Sequence, residues 1–462
     1  MKQILLRYRN GEIALRDVPP PQLLKGGVLV ATAASLISLG TEGQKVRQAG
    51  QSLLGKARER PDQVRQVLEN VQKQGLAATV QKVRAKLEDP TPLGYSAAGT
   101  VIAVGAGVED LAIGDRVACA GATACHAEVI FVPRNLCARA PDGVPFEAAA
   151  CATVGAIAVH GVRQVAPRLG EWVAVIGLGL VGQFAVQTLR ANGCRVVAVD
   201  PDPAKVRLAA SQGAELAFVR ADPNLEPAAR RATDGRGWDA ALITASAKDS
   251  DPIHLGARLM RDRGRVVVLG AVKMDLARGV FYDKEIELRM ARSYGPGRYD
   301  PQFEEHGHDY PAGYVRWTET RNMDAFLALV ASGQIRVDPI ITHRYSFAEA
   351  ERAYALLNGN GAGPPPMGII FQYDTTQPQP TSVAPTVPRP RGPAAAPGIG
   401  LIGAGSFAKQ VLLPALQRAE GVRLIGVTAA SGSPAVTSPN GSASPTAPAT
   451  IAPCSTIRAR RW

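Results

Sequence analysis

The sequence has little of several features that define other classes of protein. Its six cysteines are scattered and form no CxxC pair, so we expect reduced thiols, as in a cytosolic protein, and neither a structural zinc lobe nor a disulfide framework. It holds no stretch of about 18 apolar residues, so no membrane span is predicted. The N-terminus, MKQILLRYRNGEIALRDV, lacks the apolar run of a signal peptide and alternates apolar and polar residues like an edge strand. We therefore expect a cytoplasmic protein.

The basic residues are unevenly distributed along the chain. The formal net charge is +12, but +7 of it lies from Thr375 onward, and a smaller local excess lies between Gly43 and Pro92. Aromatic residues make up only 5% of the chain and do not interleave with these charges, as a stacking surface for nucleic acid would require. We expect no nucleic-acid binding.

Changes in hydrophobic period divide the chain into segments. Short strand-like runs are followed, over residues 43–92, by apolar residues at helical spacing, and from about residue 153 strands and helices alternate as in a doubly wound parallel sheet. Residues 374–397 are a Pro-rich, nearly uncharged linker. Residues 398–431 begin a second βαβ unit, and 432–462 are a Ser/Pro/Thr/Ala-rich tail that we predict to be disordered. A single βαβ unit gives its strands too few partners, so we interpret it as part of a truncated or frame-shifted domain.

A glycine-rich motif carries the clearest functional signal. It follows the strand WVAVI, opens a helix, and consists of Gly177, Leu178, Gly179, Leu180, Val181 and Gly182. Its glycines permit a tight turn, close approach of a pyrophosphate and helix–strand packing, which predicts dinucleotide binding. Asp200 ends the next strand, where a carboxylate binds a ribose 2′-hydroxyl and repels a 2′-phosphate, so we predict NAD as the cofactor. Lys205, which is equally plausible as a solvated helix lysine, and Gly270 complete the predicted cofactor site.

These features together resemble the medium-chain dehydrogenase/reductase family over residues 1 to about 373. The resemblance rests on the order of barrel strands, the HAEV strand, the GLGLVG motif and the returning C-terminal segment. It implies an α/β fold with a GroES-like β-rich catalytic domain (1–152 and 291–373, with 43–92 a helical insertion) and a Rossmann NAD-binding domain (153–290). Residues 398–431 are similar to the start of a Gfo/Idh/MocA-type domain. The whole chain thus resembles bacterial bi-domain oxidoreductases in which the second module is cut short.

The catalytic zinc of this family has no matching ligands here. The family's Cys-Gly-Thr-Asp corresponds to Leu39-Gly40-Thr41-Glu42, its ligand histidine falls on Tyr95, and its third ligand falls on about Thr153. Leucine cannot ligate, and neutral Tyr and Thr are poor ligands for Zn²⁺, so we expect no metal. Tyr95 is then the leading candidate for the acid/base or oxyanion donor, helped by the Thr41 hydroxyl. The alternative is that Tyr95 only fills the vacated pocket.

A polar, aromatic loop from Tyr294 to Trp317 is the predicted substrate region. Its candidate substrate residues are Tyr294, Arg298, His308 and Tyr314, whose hydrogen-bonding and aromatic groups suit a sugar. A solvent loop or a dimer contact is the competing interpretation. Two histidines that border the cleft in the family, His126 and His160, are interpreted as structural.

The sequence therefore predicts a zinc-independent, NAD(H)-linked oxidoreductase that interconverts a hydroxyl and a carbonyl of a small molecule, such as a sugar or glycan precursor. Two alternatives stay open: an NADPH-dependent quinone or enoyl reductase, which the Asp200 carboxylate disfavours, and a non-catalytic dinucleotide-binding scaffold. The resemblance further implies a homodimer or homotetramer.

Overall fold

The computed structural model describes residues 1–51, 90–357, 365–376, 398–402, 412–419 and 423–428, together with 65, 67, 69, 71–73, 75, 79 and 408. The predicted tail, and most of the predicted linker and helical insertion, lie outside the described residues. Among those residues, no helix has both the length and the apolar character needed to cross a membrane.

The described part of the chain contains strands and helices throughout. The strands are β1 (Lys2–Arg7), β2 (Glu12–Asp17), β3 (Gly27–Ile37), β4 (Thr91–Pro92), β5 (Ser96–Val104), β6 (Arg116–Ala120), β7 (Val129–Pro133), β8 (Cys137–Arg139), β9 (Trp172–Ile176), β10 (Arg195–Asp200), β11 (Leu216–Val219), β12 (Trp238–Ile243), β13 (Met260–Val268), β14 (Glu287–Met290), β15 (Ile341–Ser346), β16 (Gly368–Gln372), β17 (Gly398–Ile402) and β18 (Arg423–Thr428). The helices are α1 (Thr41–Gly50), α2 (Phe146–Ala149), α3 (Ala152–Val165), α4 (Leu180–Ala191), α5 (Pro203–Ser211), α6 (Leu225–Ala232), α7 (Asp251–Arg258), α8 (Arg278–Asp283), α9 (Pro301–Glu304), α10 (Glu319–Ala331), α11 (Ala350–Leu357) and α12 (Leu413–Arg418).

A seven-stranded sheet forms the β-rich unit. Its order is β15-β16-β3-β5-β6-β8, with β7 also paired to β3. β3 is antiparallel to β5, β7 and β16, and nine of its eleven residues are buried, as expected for a central strand rich in Val, Leu, Ile and Ala. Because strands from residues 27–139 and 341–372 share this sheet, the two ends of the chain's first 373 residues meet in one unit.

A smaller sheet at the N-terminus differs from the sequence-based expectation. The segment predicted as an edge strand, residues 1–18, forms both β1 and β2. β2 is an edge strand, but β1 lies between β2 and β4 in a three-stranded sheet, so the prediction was wrong for β1. The four residues from Gln3 to Leu6 are all buried, because both neighbouring strands and the core behind them cover this strand.

The second large sheet is parallel, with the order β11-β10-β9-β12-β13-β14. Its central strand β9 is buried at all five positions, which fits a strand covered by helices on both faces. The strand order reverses between β9 and β12, whose last residues Ile176 and Ile243 pair directly. In such sheets ligands bind beyond the carboxyl ends of the strands at this reversal point.

One continuous hydrophobic core joins the two large sheets. It includes Val30 and Ala98 of the β-rich sheet, Val173 of the parallel sheet and most of the apolar residues of α3. Helices α4 and α10 meet in it through the rings of Phe184 and Phe326, which pack edge to face with centroids 5.1 Å apart. The two large sheets are therefore packed against each other along the side of the cleft where α3 lies.

At the C-terminal end of the described residues, β17 and β18 form a two-stranded parallel sheet. Gly403 and Gly405, which follow β17 in the second predicted βαβ unit, lie outside the described residues.

Candidate active site

The glycine-rich motif forms a tight loop between β9 and α4. Gly177 has a φ of +101°, a conformation that is costly for residues with a Cβ. A Cβ at Gly182 would overlap the Gly177 carbonyl oxygen, so the third glycine is required for the close packing of helix on strand. The space around Gly179 is open, and α4 begins at the next residue. The backbone N–H groups and positive end of α4 can therefore approach a pyrophosphate.

Asp200, at the end of β10, holds this loop. Its side chain is buried, and the backbone N–H of Leu178 donates to Oδ2 at 2.7 Å while that of Asp202 donates to Oδ1 at 2.9 Å. Because a carboxylate oxygen has two lone pairs, each oxygen can accept one further bond from a ribose hydroxyl. These residues fit the adenosine ribose of a nicotinamide dinucleotide.

The other predicted cofactor residues play more peripheral parts. Leu178 and Leu180 are buried and Val181 packs on the core, so their side chains anchor the loop and only their backbones can contact a cofactor. Lys205 lies on α5 with Nζ 3.8 Å from the Asp202 carboxylate, and its side chain is one-third exposed. Gly270 follows β13, near the carboxyl edge of the same sheet.

Tyr95 and Thr41 come together on the β-rich side of the cleft. Tyr95 is half-buried just before β5, and Thr41 is the exposed first residue of α1. Burial raises the pKa of the Tyr95 hydroxyl and the negative charge of Glu42 adds to this rise, while hydrogen bonding to Ser38 and Thr41 and the positive charge of Arg298 oppose it. Tyr95 is therefore a protonated hydrogen-bond donor at neutral pH.

Glu42 anchors the start of α1 beneath this site. Its side chain is fully buried; one carboxylate oxygen accepts from the Ser38 backbone N–H at 2.9 Å, and the other contacts His126 Nε2 at 3.0 Å and accepts from the Tyr354 hydroxyl at 2.7 Å. Burial alone would raise the pKa of the Glu42 carboxyl, but His126 and these hydrogen bonds together lower it. Glu42 is thus an anion that fixes Ser38 and α1, and through them the surroundings of Tyr95.

The hydrogen-bond network extends from His126 into the core. His126 Nδ1 lies 2.7 Å from the Ser35 hydroxyl, which in turn lies 2.8 Å from the Tyr373 hydroxyl. The order Ser35–His126–Glu42 is that of a hydrolase triad, but Ser35 and His126 are completely buried and out of reach of a substrate. The structural interpretation of His126 therefore fits its surroundings.

The three positions that match zinc ligands in the family do not offer a zinc donor set. Leu39 has an aliphatic side chain that packs against the hydrophobic core, Tyr95 carries a phenol with a raised pKa, and the Thr153 hydroxyl donates to the Cys119 carbonyl at 3.4 Å. Within the described ranges, no three His, Cys, Asp or Glu side chains cluster as a metal site would require. Zn²⁺ prefers thiolate, imidazole and carboxylate, so these residues do not fit a catalytic zinc.

The predicted substrate residues divide into two pairs. Tyr294 and Arg298 lie together, with the guanidinium carbon 5.3 Å from the ring centroid, and Arg298 also bonds Glu304 at 2.5 Å. His308 is exposed, and Tyr314 is 91% exposed. In the part of the chain that the structure describes, no hydrogen bond or ring contact joins either of these two side chains to Tyr294 or Arg298. The structure therefore brings together only half of the predicted set.

Three further residues are relevant to the candidate site: Ser38, Glu319 and His160. Sequence reasoning gave no role to Ser38, which contacts Tyr95, or to Glu319, which is fully buried at the start of α10. An acidic residue in the first turn of a helix is common, so the sequence carries no signal that separates Glu319 from a surface glutamate. His160 is buried, and burial with the nearby charge of Arg163 lowers its pKa to about 4, so it is neutral at physiological pH.

Comparison with known proteins agrees with this architecture. The family model for the alcohol dehydrogenase GroES-like domain matches residues 65–175, and that for zinc-binding dehydrogenases matches 181–305. D-xylulose reductase A from Aspergillus oryzae is 26% identical over 303 residues, covering 58% of this chain and 77% of that protein. Among solved structures, galactitol-1-phosphate dehydrogenase from Escherichia coli aligns with a TM-score of 0.60 at 18% identity, covering 80% of this chain and 100% of that chain. Alcohol dehydrogenase TADH from Thermus sp. ATN1 aligns with a TM-score of 0.59 at 21% identity, covering 81% and 100%.

These matches support an oxidoreductase of the medium-chain dehydrogenase/reductase family, of the alcohol or polyol dehydrogenase type. The predicted α/β fold, with a GroES-like domain and a Rossmann-like parallel sheet, is confirmed.

Proposed function

We propose that the chain is a zinc-independent, NAD(H)-linked oxidoreductase that interconverts a hydroxyl and a carbonyl. The observation that carries this proposal is the placing of Tyr95, at the position of a family zinc ligand, among the hydroxyls of Ser38 and Thr41 and within reach of the charges of Glu42 and Arg298. A polarising group is required wherever hydride transfer creates an alkoxide. Tyr95 is the group here that can supply it.

The chemistry of the site favours donation by Tyr95. When bound, the nicotinamide ring supplies or accepts the hydride. Because its pKa is raised, Tyr95 holds its proton at neutral pH and donates a hydrogen bond to the substrate oxygen, and then the proton itself as the alkoxide forms. Thr41 is exposed at the start of α1, so its hydroxyl can pass a replacement proton from solvent to Tyr95.

The cofactor assignment rests on Asp200. With one free lone pair on each carboxylate oxygen, it can bind both hydroxyls of an NAD ribose, and its charge together with that of Asp202 opposes the phosphate of NADP. A solved neighbour, a zinc-binding dehydrogenase from Sinorhizobium meliloti 1021, was determined bound to NADP, at 19% identity. Titrating the purified protein with NADH and NADPH distinguishes the two cofactors.

A polyhydroxylated substrate, such as a sugar or glycan precursor, is the substrate class that we propose. The support is the polar loop around Arg298 and the D-xylulose reductase relatives. D-xylulose with NADH is therefore the first assay to run. Hydride transfer to any substrate would exclude a non-catalytic scaffold.

Replacing Tyr95 with phenylalanine tests the mechanism. We expect turnover to fall by about 100-fold, the usual contribution of a positioned acid, with NADH affinity unchanged because Tyr95 lies outside the nucleotide loop. Tyr282→Phe is the matched control, since Tyr282 is exposed on α8. Unchanged turnover would remove Tyr95 from the mechanism, and stoichiometric zinc in active protein would contradict the metal-free site.

Three predictions about the wider context of the protein stay proposals. We propose that residues 398–431 are the start of a Gfo/Idh/MocA-type domain, for which the parallel pairing of β17 with β18 is the support. Reading the other frames of the gene after Gly432 tests whether a frameshift ended it. A cytoplasmic location and a homodimer or homotetramer are the other two, and sedimentation of the purified protein tests the assembly.

A further inference from the structure

We propose that Glu319, Tyr294 and Arg298 form a binding site for one neutral hydroxyl group, supplied either by the substrate or by a buried water molecule. The substrate source rests on the proposed function. The water source does not.

Glu319 is the least expected member of this site. It is the first residue of α10, its backbone N–H donates to the Pro296 carbonyl at 2.8 Å, and its side chain is fully buried. Neither carboxylate oxygen has a hydrogen-bond partner among the described residues. Burial, reinforced by the charge of Glu304, raises the pKa of this carboxyl to about 9. At neutral pH Glu319 is therefore an uncharged carboxylic acid with one donor and free acceptor positions.

Its two neighbours are also incompletely bonded. The Tyr294 hydroxyl and Arg298 Nε are buried and lack partners within the described residues, although Arg298 uses another nitrogen to bond Glu304. The charge of Arg298 opposes the rise in the pKa of Glu319, and so does the Tyr294 hydroxyl, which lies near the carboxyl group without the geometry of a full hydrogen bond. Four unpartnered buried side-chain atoms thus belong to these three neighbouring residues. Buried polar groups in native proteins are nearly always satisfied, so this cluster of donors and acceptors indicates a binding site for a polar group.

The donors and acceptors of the cluster select the class of ligand. Arg298 Nε can only donate, the neutral acid of Glu319 can donate and accept, and the Tyr294 phenol can do both. A hydroxyl group, which donates once and accepts twice, complements all three. A cation is disfavoured by the Arg298 guanidinium, and an anion is disfavoured by Glu304, which already pairs with Arg298.

The site lies beside the reaction centre. The positive charge of Arg298 lowers the pKa of Tyr95, against the effect of burial, so the two side chains lie within electrostatic reach of each other. A substrate whose carbonyl oxygen meets Tyr95 can therefore place a second hydroxyl near Arg298. The Arg298 side chain is one-fifth exposed, so a substrate hydroxyl can meet it from the cleft, whereas Glu319 is fully buried. A substrate hydroxyl therefore reaches Glu319 only when the side chains that cover it move, whereas a buried water molecule needs no such movement.

The test combines kinetics and crystallography on the full chain with NADH. Two five-carbon ketones serve as probes, D-xylulose with its hydroxyls and 2-pentanone without them. The variants are Glu319→Leu, which removes the hydrogen bonds, and Glu319→Gln, which keeps a neutral group of the same size. Glu305→Gln is the matched control, because Glu305 is exposed in the same loop. The crystal structures are examined for an ordered oxygen within about 3.2 Å of at least two of the three groups.

If the substrate supplies the hydroxyl, Glu319→Leu lowers kcat/KM for D-xylulose by about 30-fold, as expected when buried polar groups lose a partner, and leaves 2-pentanone nearly unchanged. If water supplies it, the ligand-free crystal shows the oxygen and Glu319→Leu affects both ketones equally. In either case Glu319→Gln is much milder than Glu319→Leu. Should the leucine variant not fold, the glutamine variant and the crystal decide.

The proposal is overturned if no such oxygen appears in crystals grown with or without D-xylulose. It is also overturned if Glu319→Gln lowers kcat/KM as much as Glu319→Leu does, which would mean that Glu319 acts as an anion. If neither ketone is reduced by the wild-type protein, the proposed function fails on these substrates, while the crystallographic arm still decides the hydroxyl site.

Discussion

Replacing Glu42 with leucine tests how the floor of the candidate active site is held. The change leaves the Ser38 backbone N–H, His126 Nε2 and the Tyr354 hydroxyl without the acceptor that now serves all three. Each buried polar group left unpaired costs about 1–3 kcal/mol. Because such losses overlap, we expect the free energy of unfolding to fall by about 4 kcal/mol in total.

Two milder variants calibrate this value. Glu42→Gln keeps the shape and an acceptor for the Ser38 N–H, so we expect a loss of about 1–2 kcal/mol, close to the value of single hydrogen bonds. Tyr354→Phe removes one bond to Glu42 and is expected to cost about 1 kcal/mol. Urea unfolding, with the slope m compared across variants, measures all three. A leucine variant within about 1 kcal/mol of the wild type would show that the carboxylate does not hold this site together.

The same network gives a dependence of stability on pH. The pKa of Glu42 is lowered in the folded protein relative to its ordinary value of 4.5, so the unfolded chain binds its proton more readily. Its contribution to stability is therefore present above about pH 4.5 and is lost as the pH falls through the lower folded-state value. Glu42→Gln should remove this part of the acid-induced loss of stability.

Three other predictions concern the nucleotide loop and the catalytic donor. Asp200→Ala should weaken NADH binding by about 10- to 100-fold, because the hydrogen bonds to the loop and to the ribose are lost. In fluorescence titrations the variant should also show a smaller preference for NADH over NADPH. An unchanged preference would contradict the assignment of Asp200 as the residue that selects NAD. Gly182→Ala should abolish NADH binding or destabilise the fold, while Gly179→Ala, which has open space, should fold normally. Because the pKa of Tyr95 is raised above its ordinary value of 10, the rate of carbonyl reduction should fall only above pH 10. Arg298→Gln should move this fall to still higher pH, because the Arg298 charge lowers the pKa of Tyr95. A fall centred near pH 8 would count against Tyr95 as the donor.

The features of the fold that depend on local sequence pattern could be predicted from the sequence. The run WVAVI, the three glycines and Asp200 predict a strand, a turn and a strand end, because each depends on residues close in sequence. The edge-strand prediction holds for β2 but failed for β1, whose other side pairs with Thr91 and Pro92 of β4 and whose Ile4 and Leu6 pack into the core. No feature of the sequence near residues 2–7 indicates the pairing with β4.

The electrostatics of the candidate site were not predictable for the same reason. No feature of the sequence near Glu42 indicates its partners, which the structure shows to be His126, 84 positions away, and Tyr354, 312 positions away. Glu319 looked like an ordinary first-turn acid, and only tertiary packing removes it from water. Tyr314 was selected by composition alone, and the fold leaves it 91% exposed.

Under the proposed function, the charges around Tyr95 explain how a hydroxyl would act where zinc-dependent relatives use a metal. A cation polarises a carbonyl by its own charge, whereas a phenol must keep its proton to do so. Burial and the Glu42 anion keep that proton on Tyr95, while the Arg298 cation limits the rise in pKa and so preserves acidity for transfer to an alkoxide. Since Glu42 is charged only because His126, Tyr354 and Ser38 stabilise it, the buried network and the proposed catalytic donor, Tyr95, form one electrostatic unit. Changes in that network should therefore alter turnover as well as stability.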